Sequence, residues 1–234
     1  MFEHIEAHGG GSGAKLNWLR AAVLGAGDGI ISIASILVGV AGAVSDLRTI
    51  LLGGVAGLMA GAFSMAAGEY VSVSSQRDTE EALLTKERGE LEQYPEAEFE
   101  ELKNIYKGKG LSHDTAHAVA HELTAHDALT AHAGAELKID PNELTSPSHA
   151  AFASFISFMV GGVIPLIAII VAPESIRILA TFFAVVVALV ITGILSAWAS
   201  GAPYAKVILR VVLGGAIAMI VTYGVGRLFG VSGL

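Results

Sequence analysis

Two carboxylates stand inside apolar runs: Asp28, in GAGDGIIS, and Glu69, in SMAAGEYVS. A carboxylate near the bilayer centre costs roughly 2.5–3.5 kcal/mol on insertion scales, so it normally faces a bundle interior or a wet cavity. Ser32 and Ser35 follow Asp28 at i+4 and i+7, and Met65 precedes Glu69 by four residues. Helical spacing therefore gives each run one polar stripe of carboxylate with hydroxyl or thioether groups. Such stripes suit the passage of a divalent cation. The alternatives are a protonated packing group at Asp28 and a hydrated interfacial group at Glu69.

A second concentration of ligand-type residues lies between these runs and the C-terminal third. Sixteen of the 22 acids fall between Asp78 and Glu143. Glu80, Glu81, Glu87 and Glu90 belong to one expected helix, and Glu96, Glu98, Glu100 and Glu101 to the next. Acids at i and i+3 share a face and can converge on a cation. On an ideal helix starting at His113, the residues His121, His132 and Glu136 point within about 60° of one another. Val119, Leu123 and Leu137 point to the other side. The alternative is a solvated charged face on an amphipathic bundle. Two enzyme signatures fail. His121-Glu122 is followed by His126, one residue too far for HExxH, and the Glu-x-x-His of di-iron bundles is absent.

Composition narrows the chemistry. The chain of 234 residues has no cysteine, which excludes disulfides, thiolate zinc sites and cysteine nucleophiles. The remaining ligand types suit iron(II), manganese(II), nickel or zinc better than copper(I). A net charge of −8 argues against nucleic acid as a partner.

The elements that position these residues follow from hydropathy. Only 15% of residues are charged and 53% are hydrophobic. Five apolar stretches can each cross a hydrocarbon core, which takes about 20 residues: 19–44, 50–74, 150–172, 176–199 and 205–228. Their small residues, such as Gly53, Gly57 and Gly61, favour close helix packing in lipid, and Pro165 should kink the third span. The expected fold is all-α and polytopic, with a three-helix insert between spans two and three. Span two continues to Gln93, a second helix covers 96–109 after Pro95, and a third covers 113–138 with Ser112 as its N-cap. The domains expected are a flexible tail over 1–16 rather than a signal peptide, spans one and two over 17–74, the insert over 75–148, and the last three spans over 149–234. Basic residues favour a cytoplasmic N-terminus and insert. That orientation places eleven of the 14 Lys and Arg inside and leaves Arg48, Arg177 and Arg227 outside.

GDGIIS on span one and SMAAGEYVSVSSQRD at the end of span two resemble the vacuolar iron transporter family. The order of parts, two spans, an acidic insert and three spans, is similar too, and the resemblance runs from Asn17 to Leu234. It implies a homodimer with the ion path along spans one and two. It implies export of iron(II), often also manganese(II), from the cytosol in exchange for protons. Asp28 and Met65 match the family's intramembrane aspartate and methionine. Glu87, Glu90, Glu98 and Glu101 match its insert glutamates, and Glu136 the acid near the end of the third helix. The sequence departs from the family at Ala21 and Gly57, where some members carry acids, and at His132-Ala133, where they carry a methionine pair.

We therefore expect a divalent-metal transporter without a permanent cofactor. Its path would use Asp28, Ser32, Met65 and Glu69, and its insert would hold metal at Glu87, Glu90, Glu98, Glu101, His132 and Glu136. Iron(II) is the expected cargo, with manganese(II) or zinc(II) as alternatives. The expected setting is a bacterial plasma membrane. The rival readings are a membrane-anchored iron oxidase and a scaffold or sensor that does not transport. The orientation is testable because the chain has no native cysteine. Ser112→Cys should react with impermeant maleimide only after the membrane is opened; labelling from outside intact cells would invert the topology.

Overall fold

The computed structural model describes residues 12–232; of the tail expected over 1–16, residues 1–11 lie outside them. All the regular elements among these residues are helical: α1 (Ser12–Ala43), α2 (Leu47–Gln93), α3 (Pro95–Gly108), α4 (His113–His132), α5 (Pro147–Val171), α6 (Arg177–Ser200) and α7 (Tyr204–Ser232). A π-helical turn, Ala133–Leu137, follows α4, and a 3-10 turn, Glu174–Ile176, precedes α6. Five helices are long and apolar enough to cross a membrane. The protein is thus all-α and polytopic, as hydropathy predicts. The chain divides into two compact units. One comprises residues up to Tyr70 and from Ser148 on; the other is Val71–Pro147.

In the first unit, α1 is buried on two sides. Ile33 and Leu37 join Ile50, Leu58 and Ala62 of α2 and Phe158, Leu166 and Ile169 of α5 in one core. Ile30 and Ala34 join Val185, Ala188 and Leu189 of α6 and Met219 of α7 in another. Leu52, Phe63, Leu179, Phe183 and Leu209 point outward and are exposed, as lipid-facing residues are. Glycines set the closest approaches. A Cβ on Gly161 would collide with the Ala26 carbonyl oxygen, and one on Gly226 with that of Gly39. Backbone therefore meets backbone where α1 crosses α5 and α7. Asp46 starts α2 by accepting from the Thr49 amide (2.8 Å) and hydroxyl (2.7 Å), an N-cap arrangement. α5 runs through Pro165 as one helix.

The second unit is built from the end of α2, then α3, α4 and the π turn. Pro95 stands in the first turn of α3, where its missing N–H costs nothing. Gly110, at φ 99°, reverses the chain, and the Ser112 hydroxyl accepts from the Thr115 amide at 3.3 Å to cap α4. The apolar core is small: Val73, Leu84, Leu102, Ala116, Ala120 and Ala133.

The third insert helix is not the single rod expected over 113–138. Asp127 leaves helical geometry (φ −162°, ψ 98°). Its carboxylate accepts from the Thr130 amide at 3.0 Å and from the Thr130 hydroxyl at 2.7 Å. Asp127 is thus an N-cap inside α4, and the helix restarts behind it. The π turn then widens the helix before Lys138 ends it in the left-handed region at φ 58°. The break at Asp127 redirects the side chains that follow it, and His121 is exposed while His132 is buried; the π turn redirects only the residues after His132. Replacing an N-cap aspartate by alanine typically costs about 1 kcal/mol. Asp127→Ala should lower the denaturation midpoint of the protein accordingly, and Asp127→Asn should restore most of it. Equal loss in both variants would remove the cap as the cause.

Candidate metal site and membrane cavity

Glu87 of α2, Glu98 of α3 and His132 near the end of α4 bring one ligand atom each to within 4.8 Å of one another. All three side chains are buried, His132 completely. His132 Nδ1 lies 3.0 Å from Glu87 Oε1 and 3.5 Å from Glu98 Oε2. Yet neither ring nitrogen of His132, nor Glu87 Oε1, has a hydrogen-bond partner. The atoms are close but not aligned for an N–H to donate. An unsatisfied buried polar group costs about 1–3 kcal/mol. Lone pairs that converge without bonding one another are what a cation would satisfy, and two carboxylates with one imidazole suit a first-row divalent metal.

Glu90, Glu101 and Glu136 surround this set without joining its closest atoms. Glu90, three residues past Glu87, is half-buried and accepts from Lys86 Nζ at 3.0 Å. Glu101 and Glu136 are exposed. Their charges still reach inward. The Glu87 carboxyl is pushed up to about 7, first by burial and then by the charges of Glu136, Glu98, Glu90 and Glu101. Burial also raises Glu98 and Glu136, with neighbouring carboxylates adding to it. His132 is pushed down, mainly by burial, which favours the neutral, ligating form of its ring. Lys86 is a cation that the sequence reading does not assign to this site. It sits close enough to Glu90 and Glu136 to offset part of the repulsion.

In the first unit, Asp28, Ser32 and Met65 line a cavity of about 440 Å³, together with Ile36, Gly57, Ala60, Gly61, Ser64 and Phe158. The Ser32 hydroxyl donates to Asp28 Oδ1 at 2.8 Å, as the i, i+4 spacing predicts. Small residues of α2 make the opposite wall. Ser64 is a lining hydroxyl that the sequence reading passes over, although it adjoins Met65. Glu69 is half-buried and is not among the lining residues. The structure thus brings three of the four expected path residues together.

A model of the VIT family matches residues 19–227. The chain is 43% identical over 212 residues to a protein of Acanthamoeba castellanii called vacuolar iron transporter, covering 90% of this chain and 78% of that one. It is 39% identical over 222 residues to vacuolar iron transporter homolog 1 of Oryza sativa subsp. japonica, covering 94% and 78%. It is 36% identical over 221 residues to vacuolar iron transporter homolog 4 of Arabidopsis thaliana, covering 94% and 88%.

The elevated Glu87 pKa gives the metal-free insert a definite pH response. Between the ordinary value of 4.5 and about 7, folded Glu87 holds more proton than the unfolded chain does. Stability therefore falls as pH rises through that window. His132 has the opposite tendency, losing stability as pH falls below its ordinary 6.5. The raised carboxyls of Glu87, Glu98 and Glu136 dominate the slope. In chelator-treated protein the melting temperature of the insert should drop from pH 5 towards neutrality. Glu87→Gln should flatten that drop and raise the midpoint above pH 7. An unchanged slope in the Gln variant would assign the response to other groups.

Proposed function

Because the chain belongs to the VIT family, a family of transporters and not of enzymes, we propose that it moves iron(II) out of the cytosol in exchange for protons, with manganese(II) as a second cargo. The observation that carries this reading is the buried set of Glu87, Glu98 and His132, whose ligand atoms converge while three of them lack any hydrogen-bond partner. Such a set selects a dehydrated transition-metal ion over magnesium, which gives up its water reluctantly.

The proposal divides the work between the two units. The insert captures metal at Glu87, Glu98 and His132, with Glu90, Glu101 and Glu136 supplying charge around them. Imidazole beside two carboxylates also admits zinc(II). In the membrane, the path uses Asp28, Ser32 and Met65 at the cavity, with Glu69 further along α2. Carboxylates must lose protons to ligate a metal, so the same groups provide a basis for exchange. In the same reading the protein works as a homodimer with its N-terminus and insert on the cytoplasmic side. In a bacterial cell its spans occupy the plasma membrane.

Metal flux in proteoliposomes tests the proposal. Asp28→Asn keeps the shape and the Ser32 contact but removes the charge. Losing one charge-assisted contact is worth about 1.5–3 kcal/mol, so transport of iron(II) should fall roughly tenfold or more while the protein stays folded. Wild-type flux in Asp28→Asn would remove the cavity from the path. Absence of flux in the wild-type protein with either iron(II) or manganese(II) would overturn the function.

A further inference from the structure

His113, His117 and His121 recur at four-residue spacing in the first segment of α4, ahead of the break at Asp127, and all three are exposed. Residues at i and i+4 stand one turn apart on the same face. That spacing allows two ring nitrogens to reach one ion, which is how paired histidines on a helix hold zinc. The row is separate from the buried set, whose only histidine follows the break. Ser112 caps the segment, so its backbone is ordered without metal. The His117 ring is already held edge-on against Phe99, with centroids 5.2 Å apart.

We propose that His117, paired either with His113 or with His121, forms a second, solvent-facing site for a divalent transition metal of the zinc(II) class. The site differs in chemistry from the buried set. Nitrogen donors alone favour zinc, nickel or copper over manganese and magnesium, whereas two carboxylates and a ring accept harder ions. The row would therefore hold ions that the oxygen-rich site binds less selectively. The proposal goes beyond iron transport and does not rest on it.

The test is calorimetric titration of the full-length protein in detergent with zinc(II). Wild type should show two classes of site. His117→Gln should weaken the second class by roughly tenfold or more, the loss expected when a two-point attachment becomes one-point, and should leave the first class intact. His121→Gln should weaken it less, because the 113–117 pair survives. His126→Gln is the control: nine positions from His117, it projects from the opposite face and should change nothing. Glu87→Gln with Glu98→Gln should remove the first class and retain the one that depends on His117. The proposal is overturned if the His117→Gln isotherm superimposes on that of wild type. It is also overturned if His126→Gln weakens binding equally, or if His117→Gln abolishes both classes together.

Discussion

Electrostatic frustration within the insert governs much of what the structure shows. Glu87 and Glu98 are buried facing a fully enclosed imidazole, with Glu90, Glu101 and Glu136 adding charge of the same sign. The apolar core that must hold this arrangement closed is small, with Leu84 and Leu102 its largest members. Lys86 pairs with Glu90 and its charge reaches Glu98, but among the described residues no lysine or arginine forms an ion pair with Glu87 or Glu98. The insert instead relies on local devices: the proline at the start of α3, the Ser112 cap and the Asp127 cap. Each fixes a helix end so that Glu87, Glu98 and His132 meet despite the repulsion among the carboxylates.

The membrane unit is organised differently. Its order comes from α1, whose two faces are buried in separate cores and whose glycine contacts admit α5 and α7 at backbone distance. Asp28 stands on this well-fixed helix, and its hydroxyl partner Ser32 is one turn away. The opposite wall, from α2, offers only small side chains, one hydroxyl and one thioether. A single acid in an otherwise neutral cavity is a modest electrostatic feature. As part of the proposed path it suits transient occupancy better than tight binding, because a transported ion must leave as well as enter.

Most of the fold was legible because its signals are local. Apolar runs of membrane length, Pro95, Gly110 and Ser112 each carry their own physical instruction, and the helices begin and end close to them. The i, i+4 relation of Asp28 and Ser32 was readable for the same reason. What failed was extrapolation along α4. The angular grouping of His121 with His132 and Glu136 assumed one straight helix, and Asp127 breaks it. The signal was present: aspartate three residues before Thr130 is an N-cap pattern, but it is easily passed over within a long helical run. Which of the twelve insert glutamates are buried is not written in their spacing at all. That depends on how three helices meet, and spacing along each one is silent on it. Lys86 escaped for a similar reason, since a basic residue among acids looks like surface until its neighbours are placed. Spacing groups Glu69 with Met65, yet the cavity lining ends one turn short of it.

The π turn after His132 also bears on how such a protein can diverge. A π turn carries one residue more than the α-helical geometry it interrupts. Removing one of residues 133–135, which separate His132 from Glu136, would let the segment relax to an ordinary helix and turn Glu136 relative to His132, while His132 stayed in place. A single deletion could thus reshape the outer charge while Glu87, Glu98 and His132 stayed in place. The turn is a point where the charge around the buried set is open to drift without loss of the fold.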